Sequence, residues 1–195
     1  MEARQPFSRL GWALFAQMAV MLAAQWGVLL LAGAARPGLL GEPVFLWAAS
    51  VLGAYGLGIP AACLVLRGTA APPAPARRPL GPVRFAALWA GSVGLAYLAN
   101  GATLLLTGLL GRLRGAAVVN PVESIGLYPL PFQLLLAGLI APAAEELLFR
   151  RLLLRRLRPY GERFALVASA LCFGLFHGNL NQFFYAFLLG LVLAE

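Results

Sequence analysis

The residues able to do chemistry gather in the stretch 141–158, which reads APAAEELLFRRLLLRRLR. Adjacent glutamates, Glu145 and Glu146, lie in an otherwise apolar run, with Arg150 close behind. A charge at mid-membrane depth costs about 2.5–3.5 kcal/mol on insertion scales, so it persists where partners offset the cost or function needs it. On an α-helix, residues four apart share a face, so Glu146 and Arg150 are expected to pair, while Glu145 points about 100° away. Glu146 then reads as a salt-bridged structural carboxylate, and Glu145 as one that its local sequence leaves unpaired. A carboxylate set apart from cations and sheltered from water suits a general base near neutral pH. Pro142 removes a helix donor, frees the carbonyl of Gly138 and loosens the helix, which is tolerated where protein or a wet cavity takes up the freed group. A plainer reading makes this a helix end at the membrane interface, its arginines snorkelling to water. That accounts for the arginines better than for the glutamate pair.

His177 is the sole histidine. Phe173 stands four residues before it, on the same helical face. A lone histidine at a helix end ordinarily serves as a hydrogen-bonding group. In a second apolar segment it is also placed to orient or activate a water with Glu145, since neutral imidazole donates from one nitrogen and accepts at the other. Asn179, Asn181 and Gln182 read as a capped turn. Other chemistries fall by inventory: a zinc HExxH site needs two histidines, and an aspartyl site needs aspartates, of which there are none. Ser92 lacks the first glycine of GxSxG and, with Gly53, Gly56 and Gly94, reads as a helix-packing residue. Cys63 and Cys172, in apolar runs without metal spacing, read as buried thiols.

The elements carrying these residues are apolar throughout. Of 195 residues, 61% are hydrophobic and 11% charged, with a mean hydropathy of +0.82, well above a soluble domain. Long apolar runs cover 10–35, 44–66, 85–110 and 132–154, then a fifth over 164–176 and the start of another from 183. The first run exceeds the roughly 7–15 residues of a cleavable signal core, so it reads as an uncleaved span. Gly58 and Pro60 are expected to bend the second. Connections are expected at 67–84, 111–131 and 155–163. The fold class is therefore all-α, a polytopic transmembrane helical bundle of five full spans plus a truncated sixth. Residues 1–130 form three N-terminal spans with their loops, and 131–195 a core incomplete at its C-terminus.

All acids are Glu and all bases Arg, with a net charge of +8. The arginines fall between apolar runs rather than on one patch, which argues against nucleic acid as a partner. With the N-terminus inside, twelve arginines lie on the inner segments and three, Arg36, Arg112 and Arg114, outside. This bias predicts a multi-pass protein of the cytoplasmic membrane with a cytoplasmic N-terminus.

The two spaced motifs, Glu145-Glu146-x-x-x-Arg150 and Phe173-x-x-x-His177, together resemble the CPBP family, which includes the CAAX prenyl endopeptidases and the Abi bacteriocin-immunity proteins. The likeness covers 132–195; the earlier spans share only hydrophobicity with the family. It implies an intramembrane endopeptidase that hydrolyses peptide bonds of membrane-associated peptide or protein substrates within the lipid bilayer. Glu145 would activate the water, Glu146 and Arg150 would complete the motif, and His177 would hold the water or the oxyanion. No cofactor is firmly implied. Zinc is disfavoured, because one glutamate pair and one histidine make a poor closed site. The family also carries a later histidine with asparagine or aspartate four residues on, expected beyond Glu195. The main alternative is a catalytically inactive membrane adaptor or immunity protein. A small proton-carrying transporter is a third, disfavoured by the lack of recognisable inverted repeats.

Overall fold

The computed structural model describes residues 4–69, 72–73 and 79–193. Among them every regular element is helical, with no strand. The principal helices are α1 (Arg4–Ala35), α2 (Pro43–Val65), α3 (Pro82–Arg114), α4 (Leu130–Tyr160), α5 (Glu162–Phe176) and α6 (Leu180–Val192). Arg77 and Arg78, counted in the expected connection at 67–84, lie outside the described residues.

The helix starts fall earlier than the apolar runs, and proline accounts for three of them. Pro43, Pro82 and Pro131 occupy first-turn positions of α2, α3 and α4, where a missing N–H costs nothing and the fixed φ is already helical. The expected basic connection at 155–163 is a correction: α4 continues through the arginines to Tyr160, with Pro159 in a closing 3₁₀ turn, Arg158–Tyr160. The break comes at Gly161, whose φ of 123° is a conformation open to glycine and strained for other residues.

Four helices are long and apolar enough to cross a bilayer: Phe7–Ala35, Pro43–Val65, Pro82–Arg114 and Leu130–Tyr160, of 29, 23, 33 and 31 residues. A span needs about 20. Their outward surfaces are strongly apolar, with Leu31, Leu98 and Leu105 exposed by 71%, 75% and 79%. Apolar area of that extent facing outward marks lipid as the surrounding solvent, and the chain is a multi-pass membrane protein. The helices over the fifth and sixth apolar runs, α5 and α6, have 15 and 13 residues.

Wide i→i+5 turns interrupt two of the long helices. In α2 the turn is Leu52–Gly58, just before Pro60. In α4 one is Leu136–Ile140, just before Pro142, with the Ala141 amide donating to the Leu136 carbonyl. A second in α4 is Glu146–Leu154. Proline removes one donor and its ring crowds the carbonyl four residues back, and such wide turns are a way for a membrane helix to take up the freed groups.

The chain divides into two compact units. The first, Met1–Ala71 with Ser124–Leu148, holds α1, α2 and the beginning of α4. There α1 lies against the wide turn of α2. A Cβ on Gly53 would stand 2.9 Å from Gln25 Cγ and 3.1 Å from the Met21 carbonyl oxygen, and one on Gly58 would stand 3.0 Å from the Gln17 carbonyl oxygen. Buried Gln17 donates from Nε2 to the Ala54 carbonyl at 3.5 Å, and Gln25 to the Ser50 carbonyl at 3.3 Å. Trp47 stacks on Tyr128 with centroids 5.4 Å apart and meets Phe132 at 6.0 Å.

The second unit, Pro72–Glu123 with Phe149–Glu195, holds α3, the rest of α4, α5 and α6. The α5–α6 pair crosses on small residues: Ala165, Ser169, Ala170 and Gly174 face inward from α5, and Ala186 and Gly190 from α6. α3 packs against α6. Its buried Thr103 and Thr107 satisfy their hydroxyls on the α3 backbone, at 2.8 Å to the Ala99 carbonyl and 2.9 Å to the Thr103 carbonyl. Packing glycines proved to be of two kinds. Gly53 is at a close helix contact, whereas the expected packing role of Gly94 is corrected, since nothing lies within 4 Å of a Cβ there. Gly56 would meet only the Leu52 side chain of its own helix. Gly94→Ala is therefore expected to be neutral or stabilising by up to about 1 kcal/mol, read from the unfolding midpoint in lipid bicelles.

Candidate active site

Glu145 closes the short α-helical segment Ala141–Glu145 between the two wide turns of α4. Its carboxylate is half-buried and accepts a hydrogen bond from the Tyr55 hydroxyl, Oη to Oε1, at 2.7 Å. That distance is typical of a hydroxyl donating to an ionised oxygen. This partner comes from α2, 90 residues away in sequence, where a reading of the local residues does not reach. Sequence reasoning passed over Tyr55. The available signal was a single phenol in an apolar run, among Gly53, Gly56 and Gly58 and just before Pro60.

Glu146 is exposed and Arg150 half-buried. Both lie in the wide turn Glu146–Leu154. The expected pairing of these two rests on their spacing of four residues, which keeps side chains on neighbouring positions in this wider winding as well.

The second motif lies in the other unit, around the α5–α6 turn. His177 caps the C-terminus of α5, and Gly178, with φ of 65°, reverses the chain directly after it. The His177 Nδ1 lies 2.9 Å from the Phe173 carbonyl oxygen. A carbonyl only accepts, so Nδ1 carries the proton, and in the neutral ring Nε2 is the acceptor. The expected face-sharing of Phe173 and His177 is present, as an edge-on ring contact at 5.0 Å. Phe149, also overlooked in the sequence, sits buried on α4 and meets Phe173 at 5.0 Å and Phe176 at 5.3 Å. Ser169 donates to the Phe149 carbonyl at 2.9 Å. An aromatic cluster thus ties the second unit's part of α4 to α5.

The polar residues after His177 do form a cap. Asn179 accepts from the Gln182 amide at 2.9 Å and donates to the His177 carbonyl at 2.8 Å. The turn is shorter than expected, because Asn181 and Gln182 already belong to the first turn of α6. Asn181 is buried, its Nδ2 at 3.5 Å from the Val119 carbonyl.

The structure therefore sets Glu145 with Tyr55 in one unit, and Phe173 with His177 and Phe149 in the other. Among the described residues, no three His, Cys, Asp or Glu side chains group to hold a metal ion.

No curated protein and no solved structure matches the chain. A family model does match, the one described as Rce1-like, type II CAAX prenyl endopeptidase Rce1-like, over residues 128–195. The matched stretch contains Glu145, Glu146, Arg150, Phe173 and His177, the residues on which the resemblance to the CPBP and CAAX proteases rests. Over residues 128–195 the chain is thus similar to the Rce1-like family of type II CAAX prenyl endopeptidases.

Proposed function

We propose that the protein is an intramembrane endopeptidase in which Glu145 activates a water for attack on a peptide carbonyl. The observation carrying this reading is a half-buried carboxylate in the family segment, held by a neutral phenol at 2.7 Å. As a neutral donor, the phenol orients the carboxylate without adding a positive charge. Glu145 takes a proton as the water oxygen bonds to the carbonyl carbon. The C–N bond then breaks, and Glu145 returns that proton to the departing amine. With Nδ1–H engaged by the Phe173 carbonyl, the neutral His177 ring has Nε2 as the nitrogen able to accept from a water O–H. Glu146 and Arg150 support this helix at the motif positions.

The substrates are membrane-associated peptides or proteins, and the family description points to prenylated C-terminal segments as the first class to try. The arginine bias supports a cytoplasmic-membrane location with the N-terminus inside.

The test uses the protein in liposomes with internally quenched peptides, each made with and without a farnesyl thioether on its cysteine. Hydrolysis with new termini confirmed by mass spectrometry is expected. His177→Gln is expected to lower kcat by about 100-fold or more. Retained binding of the peptides with no cleavage of any would overturn the reading in favour of a membrane adaptor.

A further inference from the structure

We propose that Tyr55 is the positioning residue for Glu145, fixing the rotamer of its carboxylate through Oε1. This rests on the endopeptidase reading above and adds a residue outside the matched segment 128–195.

Three observations converge on Tyr55. Its hydroxyl spans from α2 to the Glu145 carboxylate at 2.7 Å, close enough to fix the rotamer of a side chain with three flexible torsions. It is presented by the wide turn Leu52–Gly58, a type of turn found often at functional sites. That turn is itself clamped to α1 on both sides of Tyr55. Gly53 and Gly58 leave room for nothing beyond hydrogen against Gln25, the Met21 carbonyl and the Gln17 carbonyl, and Gln17 and Gln25 hold the Ala54 and Ser50 carbonyls. A purely structural need to satisfy Glu145 would be met by any donor on a mobile chain. Here the donor is a rigid ring on a backbone segment immobilised by close packing, which is what a base needing fixed geometry requires.

Loss of one hydrogen bond to a charged acceptor corresponds to roughly a 10- to 100-fold effect.

The test compares Tyr55→Phe with Glu145→Gln and the parent protein, using the fastest-cleaved quenched peptide of the series in liposomes. Tyr55→Phe is expected to lower kcat about 10- to 100-fold, leave KM within about twofold and leave the melting temperature in place. The infrared carboxylate band that disappears in Glu145→Gln is expected to shift in Tyr55→Phe, which a packing role alone would not produce. Tyr55→3-fluorotyrosine keeps the shape and alters donor strength, so it decides the matter should the phenylalanine variant fold poorly: kcat is expected to change at unchanged KM. Full activity with an unmoved carboxylate band in either folded Tyr55 variant overturns the positioning role. Full activity in Glu145→Gln overturns the endopeptidase mechanism instead, so the two failures are distinct.

Discussion

Glu145→Gln is expected to reduce peptide cleavage by about 10²–10⁴-fold, the range over which a positioned general base contributes. Glutamine keeps the side-chain length and an oxygen able to accept from Tyr55, so the α2–α4 contact at 2.7 Å survives in form. What disappears is the basic oxygen. KM is expected to stay close to that of the parent, because the loss falls on the chemical step rather than on binding. Glu146→Gln provides the internal comparison. Its side chain is exposed and begins the wide turn rather than facing Tyr55, so a loss at least tenfold smaller is expected. Steady-state kinetics in liposomes decide it: equal losses in the two variants would move the base assignment off Glu145.

Gly190→Leu is expected to produce the largest loss of stability among single changes in the second unit. A Cβ at Gly190 would stand 2.9 Å from both Cα and Cβ of Ala170 and 3.5 Å from Phe173 Cδ1. The first of these is backbone, so α5 must move away bodily. Overpacking of this kind costs about 1–3 kcal/mol or more. The displaced helix carries Phe173, whose carbonyl holds the His177 ring, so activity is expected to fall along with stability. Unfolding in bicelles by steric trapping measures the first effect, and the rate in the surviving folded fraction the second. A variant as stable as the parent would show that the α5–α6 crossing is looser than described.

The motif residues were legible in the sequence because their information is local. Glu145, Glu146 and Arg150 lie within six residues of one another, and Phe173 and His177 within five, so spacing alone exposed them. The cap formed by Asn179 was legible for the same reason. Tyr55 was not, because its meaning depends on a contact 90 residues away that no periodicity encodes. The same holds for Phe149, an ordinary apolar residue until it meets Phe173 and Phe176. Pro60 and Pro142 announced irregular helices correctly, but wide turns rather than simple bends resulted. The end of α4 was misplaced since arginine and proline clusters suggest a loop, whereas membrane helices extend readily past the interface until a residue such as Gly161 turns the chain.

The wide turn at Leu136–Ile140 has a consequence for how such proteins diverge. It accommodates one residue more than an ordinary helical turn, so removing one residue there would restore regular winding without dismantling the helix. Everything downstream would then keep its phase, and Glu145 would still face Tyr55, whereas the same deletion in a regular stretch of α4 would turn it about 100° away. Relatives differing by a single residue in the preceding run would therefore present their carboxylate to the same neighbour by gaining or losing the wide turn.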